Sequence, residues 1–169
     1  MKKLLLASLV IALFAGMALA QPADETATVD VQVTVNGIWS ITLDVAAIDF
    51  GLLEPGDIAT PADVVATVRS NQKIPWGLQL NKDRDLTNDV ALESIPSANF
   101  TYAGAGGAGT WVNGEFSLAP ATAYTSATPA EDKIAAGLAL TTTLSLTIPA
   151  PAAAGLYTNV ITYTLTATP

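Results

Sequence analysis

Two stretches of the chain alternate apolar and polar residues with period two. In the first, Val29, Val31, Val33 and Val35 are followed in the same phase by Trp39, Ile41, Leu43 and Val45. In the second, Leu138, Leu140, Leu144, Leu146 and Ile148 stand at even positions with Thr and Ser filling most of the gaps. After Pro149-Ala-Pro-Ala-Ala-Ala-Gly155 the order Tyr157, Ile161, Tyr163, Leu165 takes over, again with Thr between. Successive side chains of a strand point to opposite faces, so each run reads as one buried face and one polar face. The C-terminal run therefore predicts two antiparallel strands, joined by the Pro/Gly connection and lying side by side in one sheet. For the first run two geometries fit. A three-residue loop at Asn36-Gly37 sets Val33 opposite Ile41; one long strand bent at Gly37 keeps the same faces. A two-residue hairpin would set Val33 opposite Ser40 and scramble them.

Between these runs, Ile48-Asp49-Phe50-Gly51 predicts a short strand and Glu54-Pro55-Gly56-Asp57 a tight turn. Residues 64–68 predict a strand, and Trp76, Leu78 and Leu80 another with one bulky face. Weaker strands are expected at 90–95 and 99–102. Trp111-Val112 and residues 116–118 read as a hairpin about Asn113-Gly114. Residues 120–137, small and polar, predict a surface excursion with a helical turn at 130–136. About eight to ten short strands with closely spaced turn signals predict an all-β fold, a single immunoglobulin-like or Greek-key β-sandwich. A closed barrel is the second choice.

The ends of the chain change the picture of where it works. Met1-Lys2-Lys3, an uncharged stretch over residues 4–20 and a small-x-small close at Ala18-Leu19-Ala20 describe a secretory signal peptide cleaved before Gln21. An uncleaved anchor is the rival reading, since the apolar run matches the shortest membrane helices. The expected organisation is a signal peptide at 1–20, a mobile lead at 21–25 and one sandwich domain at 26–169. Cleavage leaves about 149 residues, enough for one core without staples. There is no Cys, so packing alone must hold an exported fold, and bacterial export without disulfides is the matching context.

Charge narrows the partners. Loss of Lys2 and Lys3 leaves five basic side chains against fifteen acidic ones, a net charge of −10. Such a surface repels phosphate backbones and anionic membranes, so neither nucleic acid nor, after cleavage, a membrane is an expected partner. Charged residues make up 13% of the chain, against roughly 25% in ordinary soluble domains, so its polar faces rest on Thr, Ser and Asn.

Candidate chemistry is sparse. With no His and no Cys, Ser-His-Asp and Cys-His arrangements and His/Cys metal sites cannot be assembled, and no enzyme activity or cofactor is expected. Asp44, Asp49, Glu54 and Asp57 are the acids near apolar sequence and read as solvated or turn-forming. Gly104-Ala-Gly106-Gly-Ala-Gly109 spells a dinucleotide fingerprint, but Thr110-Trp111-Val112 follows where a helix is needed, so a loop is expected. Asn81, Asp83 and Asp85 place oxygens at alternate positions, a weak calcium candidate. The matching Gly and Glu of a calcium-binding hand are replaced by Leu86 and Leu92, and Lys82 and Arg84 neutralise the loop. Trp76, Trp111, Tyr157 and Tyr163 lie in or beside alternating runs, which suits core packing or a stacking platform for a sugar polymer.

Several of these motifs together carry a resemblance. Ile48-Asp49-Phe50-Gly51, Trp76-Gly77-Leu78, Gly109-Thr110-Trp111, Leu146-Thr-Ile-Pro149 and the close Tyr157-Thr-Asn-Val-Ile-Thr-Tyr163-Thr-Leu165-Thr-Ala-Thr-Pro169 resemble the WxL domain, from residue 48 to the end. That family belongs to exported proteins of Gram-positive bacterial surfaces. The resemblance implies non-covalent attachment to cell-wall peptidoglycan and work in adhesion or surface complexes with other surface proteins. Trp76, Leu78, Tyr163 and Leu165 would be its motif positions, with Tyr163-Thr164-Leu165 standing where the family has a second Trp-x-Leu. The final strand is also similar to bacterial pilin-like and spore-coat-like sandwich proteins, which implies a fibre or coat subunit that self-assembles through sheet edges. For that reading, residues 26–35 are the stretch able to pair with a neighbour's sheet.

Overall fold

The computed structural model describes residues 27–168. The predicted signal peptide, the lead at 21–25, Thr26 and Pro169 lie outside the described residues. The chain divides into two units, residues 1–35 and 36–169. In the first, residues 27–35 carry no helix, strand or turn, and Val29, Val31, Val33 and Val35 are 77–90% exposed.

The second unit contains eleven strands among the described residues. They are β1 (Trp39–Leu43), β2 (Ala62–Ser70), β3 (Trp76–Lys82), β4 (Leu86–Asn88), β5 (Glu93–Ile95), β6 (Phe100–Ala105), β7 (Thr110–Trp111), β8 (Gly114–Glu115), β9 (Ala121–Thr125), β10 (Leu138–Leu146) and β11 (Ile161–Ala167). Two sheets form, in the orders β1-β2-β10-β6-β8 and β11-β3-β9-β7, with β4 and β5 as a separate ribbon. Every pairing is antiparallel. Both sheets end in open edges, so this is an all-β sandwich of the immunoglobulin-like kind rather than a closed barrel.

The alternation read from the sequence sets the core. On β10, Leu140, Thr142, Leu144 and Leu146 point inward and are buried; on β2, Val64, Ala66, Val68 and Ser70 do the same. Their register sets Leu140 beside Ala66 and Leu138 beside Val68, so large and small side chains interdigitate. From the facing sheet, Trp76, Leu78 and Leu80 of β3 are at most 1% exposed. Tyr124 of β9 closes on Trp76 with ring centroids 5.5 Å apart, and Phe116 lies 5.0 Å from Phe100 and 4.9 Å from Tyr102. Each such aliphatic side chain contributes roughly 1.5–3 kcal/mol on full burial.

Several expectations are corrected. The two C-terminal strands are not neighbours. β10 pairs with β2 and β6, whereas β11 pairs with β3 in the other sheet. Their connection spans residues 147–160, long enough to cross the sandwich, and each strand finds its partner by matching faces rather than by closeness in sequence. The run from Val29 to Val45 is neither a hairpin nor one bent strand: only Trp39–Leu43 forms a strand, paired with β2. Residues 48–51 form no strand, because Asp49 caps the amide of Gly51 and that glycine takes a left-handed φ of 78°. No hairpin forms about Asn113-Gly114. β7 pairs with β9 and β8 with β6, so the chain changes sheets there, with Asn113 accepting a hydrogen bond from Gly104 at 2.9 Å.

The expected surface excursion at 120–137 contains β9, an interior strand of the second sheet. A register shift opposite Leu78/Gln79 turns both Ala123 and Tyr124 inward, which erases the period-two pattern there.

Replacing Leu140, fully buried between β2 and β6, by Ala is expected to cost about 2–5 kcal/mol of folding stability in urea titrations. Val112→Ala, at a 56% exposed site, is expected to stay within about 0.5 kcal/mol of the parent.

Candidate functional site

The site with the clearest physical demand is the outer side of β11. On its other side β11 hydrogen-bonds β3 from Ile161–Lys82 to Ala167–Trp76, and no strand among the described residues pairs with the free edge. The inward side chains Ile161, Tyr163 and Leu165 are only half-buried, whereas the inward set of β10 is sealed. Natural sheet edges are usually shielded by charge, proline or a bulge. β11 has none of the three. Its sequence, Ile-Thr-Tyr-Thr-Leu-Thr-Ala, is that of a strand meant for pairing on both sides.

Beside this edge lies a cleft of about 920 Å³. Ile48 and Phe50 line it from the segment after β1, Leu144 and Leu146 from β10, and Ile161 and Tyr163 from β11. The segment after β1 supplies side chains but little backbone order. Asp44 N–H reaches Val65 O at 3.1 Å and Gly56 N–H reaches Ile148 O at 2.9 Å. Deep in the sandwich, the Tyr163 hydroxyl and Thr142 Oγ1 are buried without a hydrogen-bond partner, and burial pushes the Tyr163 hydroxyl above its ordinary pKa. The cleft is thus mainly apolar, with Asp49, Glu54, Thr158 and Asn159 as its polar lining and Asn159 Nδ2 a further buried atom without a partner.

The residues singled out by motif fall differently. Trp76, Leu78, Tyr163 and Leu165 do come together: β3 and β11 are adjacent, with Leu78 opposite Leu165 and Tyr163 opposite Leu80. They share the inner face. Trp76 and Leu78 are fully buried, and Trp76 Nε1 donates to Glu131 O at 2.9 Å, so a polymer would reach only Tyr163 and Leu165 without opening the core.

The calcium candidates do not converge. Asn81 lies in β3; Asp83 Oδ1 accepts the Val160 amide at 2.7 Å, which holds its carboxyl below the ordinary range. Asp85 pairs with the buried ammonium of Lys82 and with Ser97, and the Lys82 hydrogen bond lowers its pKa. No group of three or more His, Cys, Asp or Glu among the described residues is arranged to hold a metal ion.

One hub was invisible in the sequence. Glu131, 5% exposed, accepts from Ala108 N–H at 2.6 Å, the Tyr124 hydroxyl at 2.5 Å and Ala127 N–H at 2.8 Å. Burial, with the Glu131 carboxylate next in importance, pushes the Tyr124 hydroxyl far up. Residues 106–109 form the expected loop between β6 and β7, and the glycines around it are packing positions. A Cβ on Gly104 would lie 1.8 Å from the Trp111 ring, and Gly109 N–H donates to the Tyr124 hydroxyl at 2.8 Å. A Glu131-Asp132-Lys133 run in a small polar stretch reads as a solvated charged turn and gives no sequence signal of such a role.

No protein-family model matches the chain, and no curated protein matches it. Among solved structures, the crystal structure of the P pilus rod subunit PapA aligns over 85% of this chain and 100% of that chain, at 18% identity and a TM-score of 0.41. A likeness that loose carries no residue-level correspondence. The WxL resemblance has no family match behind it, while the β-sandwich stands on the strands described above.

The Asp85–Lys82 pair has a pH signature. Because the folded carboxyl titrates below its ordinary value of 3.8, its contribution is fully present above that pH and is lost as pH falls through the lower folded value. Wild-type melting temperature is therefore expected to drop more steeply below about pH 4 than that of Asp85→Asn, which should be less stable at pH 7 because Lys82 is left buried and unpaired. Thermal melts from pH 7 to pH 2 check both.

Proposed function

We propose that this protein is a non-enzymatic structural subunit of a bacterial surface fibre or coat, exported and assembled by β-strand addition. Residues 26–35 of one copy would add to the free edge of β11 in the next and fill its cleft. The observation that carries the reading is the uncharged, one-sided β11, whose inward side chains are left half-exposed over an apolar cleft. The complementary observation is a segment with Val at every second position, all four exposed, and with Thr28, Asp30, Gln32 and Thr34 between them. Laid along an edge as a strand, such a segment turns one apolar face inward and one polar face to water. Four buried valines at roughly 1.5–3 kcal/mol each offset much of the cost of ordering the segment, and the backbone ladder on β11 supplies the rest.

A second reading keeps the wall-binding module implied by the Trp-x-Leu motifs, supported by the half-exposed Tyr163 and Leu165 beside the cleft. Co-sedimentation with purified peptidoglycan, lost in Tyr163→Ala, would favour it.

The experiment for the main reading is light scattering of the processed chain across a concentration series. Concentration-dependent oligomers are expected, and Val31→Asp or Val33→Asp should weaken them by about a hundredfold or more, since each variant would bury an unpaired charge. Assembly of a chain lacking residues 26–35 at wild-type affinity would overturn strand addition.

A further inference from the structure

The turn between β4 and β5 presents two apolar side chains to solvent: Val90 is 95% exposed and Leu92 86%. Two features set it apart from an ordinary loop tip. Leu92 has a backbone φ of 58°, a region that residues other than Gly, Asn and Asp avoid. The turn is also rigid. Buried Asn88 accepts the amides of Val90 and Ala91 through Oδ1, both at 3.0 Å, and its Nδ2 donates to Ala154 O at 3.3 Å. Glu93 accepts the Ala153 amide at 2.9 Å, and Thr87 and Thr158 exchange two backbone hydrogen bonds of 3.0 Å. The two ends of the turn are therefore tied to residues 153–158, which line the cleft, while the exposed pair projects from it. Leu92 thus pairs a strained backbone with an exposed apolar side chain, in a turn whose preceding amides are fixed by a buried asparagine.

We propose that Val90 and Leu92 dock a second copy of this chain, the one whose residues 26–35 occupy the cleft; the inference rests on the strand-addition reading. Every strand pair among the described residues is antiparallel. A segment added antiparallel to β11 brings its Val35 end beside Ile161, next to the cleft wall that carries the turn. The donor copy continues from there at Asn36, whose carbonyl accepts from Asn71 Nδ2 at 2.8 Å while Ile38 N–H donates to Asn71 Oδ1 at 2.7 Å. Trp39, 37% exposed, follows this exit along the chain, and Ile74, equally exposed, lies three residues beyond Asn71. The turn thus meets an apolar base on the donor, and docking there orients one subunit on the next.

The test uses the full processed chain in sedimentation equilibrium. Leu92→Asn suits the left-handed backbone, and Val90→Ser leaves that backbone untouched. Each is expected to keep the wild-type melting temperature and to weaken self-association by about tenfold or more. Ile74→Ser should weaken it similarly, and combining it with Val90→Ser should cost less than the two effects added. Wild-type association of both turn variants overturns the docking role. If the chain lacking residues 26–35 does not associate while the turn variants associate normally, docking alone is wrong. If that truncated chain associates like wild type, strand addition fails, and docking as proposed fails with it.

Discussion

β3 and β10 are the two strands whose inward faces meet at the centre of the sandwich, and both are hydrogen-bonded on either side. With neighbours on two edges and a facing sheet above, their backbone groups are satisfied and their side chains are withdrawn from water together. Trp76, Leu78 and Leu80 on one, and Leu140, Thr142, Leu144 and Leu146 on the other, are therefore sealed. Strands further out inherit that order in diminishing measure. β11, one step from β3, has its backbone satisfied on one side only, and its inward residues are half-covered. That incompleteness follows from where the sheet stops.

At the opposite end of the second sheet the structure closes by packing aromatic rings over bare backbone. The Trp111 indole lies on Gly104, and its Nε1 donates to Gly106 O at 2.9 Å. Tyr124 packs between Trp76 and Trp111, and its hydroxyl reaches the buried carboxylate of Glu131. That carboxylate collects amides from two loops far apart in sequence, so one charged group fixes both. The sealed end has rings, a buried acid and glycines that admit close approach; the end along β11 has an apolar cleft and an unpaired edge. The sealed packing and the unpaired edge are thereby placed at different parts of one fold.

Much of this was legible in the residues. Period-two alternation located β2, β3, β10 and β11, because each keeps one face on the core for five or more residues and the pattern has room to repeat. The absence of His and Cys excludes Ser-His-Asp and Cys-His arrangements and His/Cys metal sites. Val29 to Val35 stood out as strand-forming sequence, yet in the structure it forms no strand and all four of its valines are exposed.

What stayed hidden has physical reasons of its own. β4, β5, β7 and β8 are two or three residues long, too short for a period to show. β9 hid because its bulge points consecutive residues inward. Whether β10 and β11 pair with each other or lie in opposite sheets depends on long-range matching of faces, to which alternation along the chain is blind. Local sequence determined which side of each strand is apolar. Only the packed structure decided which strands are neighbours, that Trp76 is a core residue and that β11 is left open, because those outcomes depend on residues that meet across tens of positions in sequence.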